Sequence, residues 1–279
     1  MKRMTRRTLA LALAGTLLLA LAACGGQTPD PTPTPAAAGS GIETFADLGG
    51  KKVSVNSIPL SAEEFGAFYK NNYGIDFTSV SVTPTVMEGT MMVQNGQVDG
   101  AITPVAATAE YFARENDDLK AVTSDIATDI AIALDARNTA LLEELNGAIR
   151  AMKEDGTIDA LVTTWIDDAT SDSLKVEPVE KLEGADTLYI GISGDVVPLD
   201  YVSADGSPAG FNVALMTEIG KRLGKNVEFV VVSTDAKFSS ILSGKIDAFF
   251  WHIALLPLPE DIAVTDSYYS TYIAAMVKK

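Results

Sequence analysis

The stretch TLYIGISGDVVPLDYVSADGSPAGFNVALMTEIGKRL, residues 187–223, lays out a strand, a loop, a turn and a helix in that order. Residues 188–192 form a short apolar strand that breaks at Gly191 and Gly194, and Ala204, Asp205 and Gly206 supply the turn. Phe211, Val213, Leu215, Met216, Ile219 and Leu223 then keep mostly to one helical face. Gly224 closes that helix, and residues 226–232 read as the next strand.

Working outward, the same alternation fills the rest of the chain. Strands are predicted at 52–56, 77–82, 100–102, 119–123 and 129–134. Ser61-Ala62-Glu63-Glu64 and Thr85-Val86-Met87-Glu88 have capping-box spacing, so each opens a helix. Thr103 and Pro104 read as N-cap and first residue of a third helix, and two more are predicted at 138–153 and 157–166. Strands alternating with helices imply parallel sheets flanked by helices, an α/β fold. One internal echo stands out. Asn95-Gly96-Gln97-Val98-Asp99 and Ser243-Gly244-Lys245-Ile246-Asp247 each end a helix at glycine and place an Asp at the mouth of an apolar strand. Both Asp residues are expected to hold turns.

With Gly210-Phe211-Asn212-Val213-Ala214-Leu215 at the helix entry, the stretch resembles the N-terminal opening of bacterial extracellular solute-binding proteins of the polar amino-acid family. Two acidic positions of that signature are here Asn212 and Ala214. Residues 42–168 resemble the portion that normally follows, through Phe45-Ala46-Asp47-Leu48-Gly49-Gly50-Lys51-Lys52-Val53 and Glu154-Asp155-Gly156-Thr157. The two portions thus stand in reversed order, as in a circular permutation. The resemblance implies a two-lobed periplasmic-binding-protein fold of type II, each lobe a mostly parallel sheet flanked by helices, joined by two hinge strands. One lobe is expected over 42–128, completed by strand 271–279, and the other over 129–270.

Residues 1–23 read as a secretory leader: Lys2, Arg3, Arg6 and Arg7 precede an apolar run shorter than the roughly 18–20 residues of a spanning helix. Leu21-Ala22-Ala23-Cys24 resembles a lipobox, which implies acylation (palmitate-type chains) of Cys24, the chain's only cysteine. Residues 24–41 lack large apolar side chains and read as a disordered tether. Outside the leader 17 Lys and Arg face 37 Asp and Glu, a charge of −20 that argues against a nucleic-acid partner.

The resemblance implies a ligand in the cleft between lobes. It also implies an Arg for the carboxylate and an Asp for the ammonium of an amino acid. The first region, Trp251-His252-Ile253-Ala254-Leu255-Leu256-Pro257-Leu258-Pro259-Glu260, has no Arg, and Pro104 stands where the Asp would fall. Free α-amino acids are therefore not expected as ligands. The candidate ligand-binding residues are Trp251 as a stacking platform, His252, Asp195 toward a cationic group, Asn56, Ser57 and Ser61 around a helix N-terminus, and Thr103. One histidine and one cysteine make no metal site, and no cofactor motif or nucleophilic triad is present.

The function expected is a lipid-anchored, monomeric receptor of an ABC importer, on the outer face of the cytoplasmic membrane. It would present a small polar or heterocyclic molecule to the permease. Two alternatives stay open: a sensory or docking lipoprotein with a degenerate cleft, and a dehydratase-type enzyme using His252, Asp195 or Glu88.

Overall fold

The computed structural model describes residues 40–56, 60–168, 181–233, 236–252 and 258–279, with only the backbone of Trp251 and His252. In chain order a 3₁₀ turn (Phe45–Leu48) leads to β1 (Lys52–Asn56), α1 (Ala62–Tyr73), β2 (Ser79–Thr83), α2 (Val86–Gln94), β3 (Gly100–Thr103) and α3 (Ala106–Glu115). The long β4 (Leu119–Asp135) is followed by α4 (Thr139–Glu154) and α5 (Thr157–Val162), which ends in a π-helical turn (Thr163–Asp167). Then come β5 (Thr187–Ile192), the short strands β6 (Asp195–Val196), β7 (Asp200–Val202) and β8 (Pro208–Ala209), α6 (Phe211–Leu223) and β9 (Asn226–Val231). The chain closes with α7 (Lys237–Leu242), β10 (Ala248–His252), β11 (Ile262–Val264) and β12 (Tyr269–Lys278).

The helices begin where local chemistry starts them. Ser61 accepts the Glu64 amide, and the Glu64 carboxylate returns to the Ser61 amide, so both free donors are satisfied at the start of α1. Thr85 accepts the Glu88 amide at the start of α2. α3 departs from expectation. It starts at Ala106 rather than at Pro104, because Thr103 stays in β3 and Val105 takes the cap position without a side-chain bond.

The fold is mixed α/β. A 9-stranded sheet runs β2-β1-β3-β12-β4-β10-β5-β9, with β11 also on β4. Its two wings, β2-β1-β3 and β10-β5-β9, are parallel as expected. The middle is not, since β12 runs antiparallel to both β3 and β4, and β4 antiparallel to β10. The two strands read at 119–123 and 129–134 are one. Between them Thr128 and Ala127 pair with Thr271 and Tyr272 of β12, and residues 124–126 fall in a register shift where the Ser124 hydroxyl donates to the Ile273 carbonyl.

At about 3.4 Å per residue, the 17 residues of β4 reach roughly 55 Å, enough to run from one wing into the other. Its first half pairs with β12 and its second with β10; Ile130 faces Tyr269 on one side and His252 on the other. β12 is buried on both faces. Ile273, Ala275 and Val277 join Phe45, Phe65 and Tyr69, while Ala274 and Met276 join Val86 and Phe112. Across the sheet Ile130, Ile132 and Leu134 of β4 pack with α4 and α6, and Ala133 turns to Phe249 and Ile241. The ends of the described fold adjoin: the Ser40 hydroxyl donates to the Lys278 carbonyl at 2.5 Å.

The paired glycine turns match in detail. The Asp99 carboxylate accepts the Lys52 amide at 2.8 Å, and the Asp247 carboxylate accepts the Tyr189 amide at 2.8 Å. The Asp99 and Asp247 amides donate back to the carbonyls of the same two residues. Each Asp thus ties a strand entrance to the neighbouring strand of its wing.

Candidate functional site

The site grows from the loop after β5. Gly210 has φ +113°, and a Cβ there would lie 2.2 Å from the Leu199 carbonyl oxygen, so only glycine lets the chain pass. The close approach lets Phe211 and Asn212 donate their amides to the carbonyls of Pro198 and Leu199. These bonds spend the first donors of α6 internally and press Asn212 against β7. There the Asn212 side chain donates to Asp200 at 2.8 Å and accepts the Tyr268 hydroxyl at 2.7 Å. The Ser193 amide also donates to Asp200, at 2.7 Å.

This explains one departure from the family signature. An acid at position 212 would face the buried Asp200 carboxylate, and two ionised carboxylates cannot share so small a space. The amide of Asn212 supplies the donor Asp200 needs. Burial still pushes the Asp200 carboxyl above the usual carboxylate range, against the pull of Lys237 and of the donated hydrogen bonds.

Lys237, at the start of α7, is buried beside this network. Its ammonium donates to the Ser193 hydroxyl at 2.9 Å and lies 5.5 Å from the centre of the Phe249 ring. Burial lowers its pKa, while Asp200 and then Asp195 hold it up.

Asp195 reaches out of this cluster toward the other wing. Its carboxylate accepts the Val86 amide at the start of α2, 3.3 Å away. Burial raises its pKa and the Val86 bond opposes the rise. Its neighbour Val196 packs against core residues of both wings. Tyr201, paired with Asp195 across the β6–β7 ribbon, has a buried hydroxyl without a hydrogen-bond partner among the described residues. Burial, with Tyr111 of α3 adding to it, pushes the phenol up to about 12.

The other residues singled out from sequence fall as follows. Asn56 ends β1, half-buried and opposite Thr83. Ser61 is exposed, and Glu64 engages both its hydroxyl and its amide, so capping is its observed role. Thr103 is buried at the end of β3; its hydroxyl accepts the Val105 amide at 3.5 Å, so it does not cap α3 as expected. Trp251 and His252 are the last two residues of β10, paired with Ala131 and Ile130 where β4 crosses between wings. Ser57 and Cys24 lie outside the described residues. Among the candidates whose side chains are described, Asp195 is the one that bridges the wings. Sequence reasoning missed Lys237, Asp200 and Tyr201. A lone Lys within Ala236-Lys237-Phe238 reads as a solvated helix residue, and only the tertiary fold buries it.

Residues 188–279 match the family model of the bacterial extracellular solute-binding proteins, family 3. Over those residues the chain is similar to that family. Its first part, residues 28–154, matches a separate model described as NMT1/THI5 like, rather than the continuation of the family 3 model. The L-cystine-binding protein of Escherichia coli (strain K12) is 32% identical over 126 residues, 44% of this chain and 45% of that relative. ABC transporter arginine-binding protein 1 of the same strain is 28% identical over 129 residues, 44% of this chain and 50% of that protein. The chain therefore spans about half the length of the curated relatives it matches. Among solved structures, a glutathione-bound ABC transporter periplasmic binding protein from Brucella ovis shares 15% identity. It aligns over 83% of this chain and 63% of that one, with a TM-score of 0.46. The matched relatives are named for the solutes they bind.

Proposed function

We propose that the chain is the lipid-anchored, extracytoplasmic receptor of an ABC importer, binding a small polar or heterocyclic molecule between two lobes. The observation that carries this is the β6–β7 ribbon: Asp195 and Val196, rooted in one wing, touch α2 and the core of the other. Two wings bridged by one short ribbon and joined by two long strands suit hinge closure over a solute.

In this reading residues 42–128 with strand 271–279 form one lobe, residues 129–270 the other, and the β4–β12 pair is the hinge. The family 3 match in the second half and the contact between Ser40 and Lys278 support a permuted order of the halves. Residues 1–23 are the leader, Cys24 carries the lipid, residues 24–41 are the tether, and the monomer docks on a permease. Trp251, His252 and Asp195, with Asn56, Ser57, Ser61 and Thr103 opposite, remain the proposed contacts. The expectation against free amino acids rested partly on a missing cation. Lys237 removes that part of the reason, so amino acids belong in any ligand screen.

A second reading, a docking or sensory lipoprotein with a degenerate cleft, draws on the same ribbon, because the protein's own Asp195 already meets the α2 amide. Calorimetric titration of unfolded and refolded protein with amino acids and heterocycles separates the two. Micromolar one-to-one binding supports the receptor, and heat-silent titrations across the panel support the docking protein.

A further inference from the structure

Tyr268 sits where two structural tasks meet. Its amide donates to the Ile130 carbonyl at 2.9 Å, which fastens the entry of β12 to β4 beside the pair of Tyr269 with Ile130. Its hydroxyl donates to the Asn212 side-chain oxygen at 2.7 Å, and the Asn212 side-chain nitrogen donates to the Asp200 carboxylate at 2.8 Å. Tyr268, Asn212 and Asp200 are all buried. An amide suits the middle position because it accepts from the phenol and donates to the carboxylate at once, whereas an ionised carboxylate has nothing to donate. Successive bonds in such a chain polarise one another, and a gap in it leaves a buried polar group unpaired.

The chain of bonds continues toward the other wing. Asp200 opens β7 and pairs with Val196 of β6. Val196 packs on core residues of both wings, and its neighbour Asp195 accepts the Val86 amide of α2. The Phe211 ring braces the near end of this path, with its centre 6.0 Å from that of Tyr268 and 5.3 Å from that of Tyr269. A continuous run of contacts thus leads from the β4–β12 crossing to the seat of the ribbon on α2. We infer that Tyr268 and Asn212 are positioning residues: they hold the ribbon where Asp195 reaches α2, and so couple the crossing strands to the contact between wings. This rests on the hinge reading above and adds to it two buried residues that need not touch the solute.

The Val86 amide reports the ribbon's seat. As the first amide of α2 it has no acceptor within the helix, so its hydrogen exchanges when Asp195 leaves it. Exchange is followed by nuclear magnetic resonance on isotope-labelled, ligand-stripped full-length protein. Tyr268→Phe removes one hydroxyl on the far side of the ribbon and should speed exchange at Val86 on the order of five-fold. In Asp195→Ala protein the same change should add nothing. Asp247→Ala, which unties a strand of the same wing outside this path, should leave Val86 unchanged. An unchanged Val86 rate in folded Tyr268→Phe, an equal acceleration in Asp247→Ala, or an added effect in Asp195→Ala protein overturns the inference. If Tyr268→Phe does not fold, Asn212→Ala cuts the same path and is read by the same rule; loss of folding in both would make the path a folding element and also overturns it. Small-angle scattering separates this from the hinge reading. A larger radius of gyration for Asp195→Asn, with Val86 still protected in Tyr268→Phe, removes the coupling alone, and an unchanged radius for Asp195→Asn removes the bridge and the coupling together.

Discussion

The carboxylate of Asp195 accepts the amide hydrogen of Val86 at 3.3 Å, joining positions 109 residues apart on opposite sides of the crossing strands. An acidic group at a helix N-terminus contributes about 0.3–1 kcal/mol, too little to lock two lobes and enough to bias them. Asp195→Asn is expected to leave the global unfolding free energy within about 1 kcal/mol of wild type. It should also shift ligand-free protein toward more open shapes, read as a larger radius of gyration in small-angle scattering. A scattering profile identical to wild type would remove the bridging role.

The network of Asp200, Asn212 and Tyr268 gives a sharper expectation. Asn212→Asp places a second carboxylate 2.8 Å from the first in a buried site, and a loss of about 3–5 kcal/mol follows. The pH dependence has a definite sign. Burial raises the Asp200 carboxyl in the folded state, so its protonated form is favoured there relative to the unfolded chain. Its contribution to stability is fully present below the ordinary carboxylate value near 3.9 and is lost as pH rises through the raised one. Urea unfolding should therefore show the gap between wild type and Asn212→Asp widening from about pH 4 upward. A gap independent of pH would contradict it.

Asp99 and Asp247 do one job twice. Replacing either by Ala unties one strand amide, Lys52 or Tyr189, and should cost about 0.5–1.5 kcal/mol in denaturant unfolding. Ligand affinity should not move, since both carboxylates serve turns. A variant that folds normally but loses affinity would show that its Asp reaches the solute.

These turns also mark what could be read before the fold was known. The glycine after each helix, the step to Asp and the apolar strand are local, so the echo was visible as letters. The capping box at Ser61 and the strand–loop–helix of residues 187–223 were visible for the same reason. The union of two predicted strands into β4 was not, because Ser124, Asp125 and Thr128 look like loop residues until β12 lies beside them. Lys237 was hidden for a related reason. Its burial comes from contacts with Ser193 and Phe249, which the chain brings together only through the order of its strands.

The proposed lipid anchor rests on Cys24 alone. Cys24→Ser should abolish incorporation of labelled fatty acid and release the protein from the membrane fraction. Two acyl chains hold stably where one holds marginally. Label retained by the variant would place the anchor elsewhere or remove it.

The proposed permuted order can be tested by undoing it. Joining residue 279 to residue 42 through a short flexible linker, and opening the chain between residues 168 and 181, restores the order implied by the family resemblance. The ends are already neighbours at Ser40 and Lys278, so the relinked protein should refold with the same circular dichroism and a midpoint close to that of the native order. Failure to fold would mean that the two portions are not interchangeable in order.

Closure of two lobes over one small solute is the central claim, and calorimetric titration of stripped, refolded protein tests it most directly. One member of a panel of amino acids, heterocyclic acids and their neutral counterparts should bind one-to-one with a Kd on the order of micromolar, about −8 kcal/mol. A folded protein that gives no heat with any of them would contradict the account.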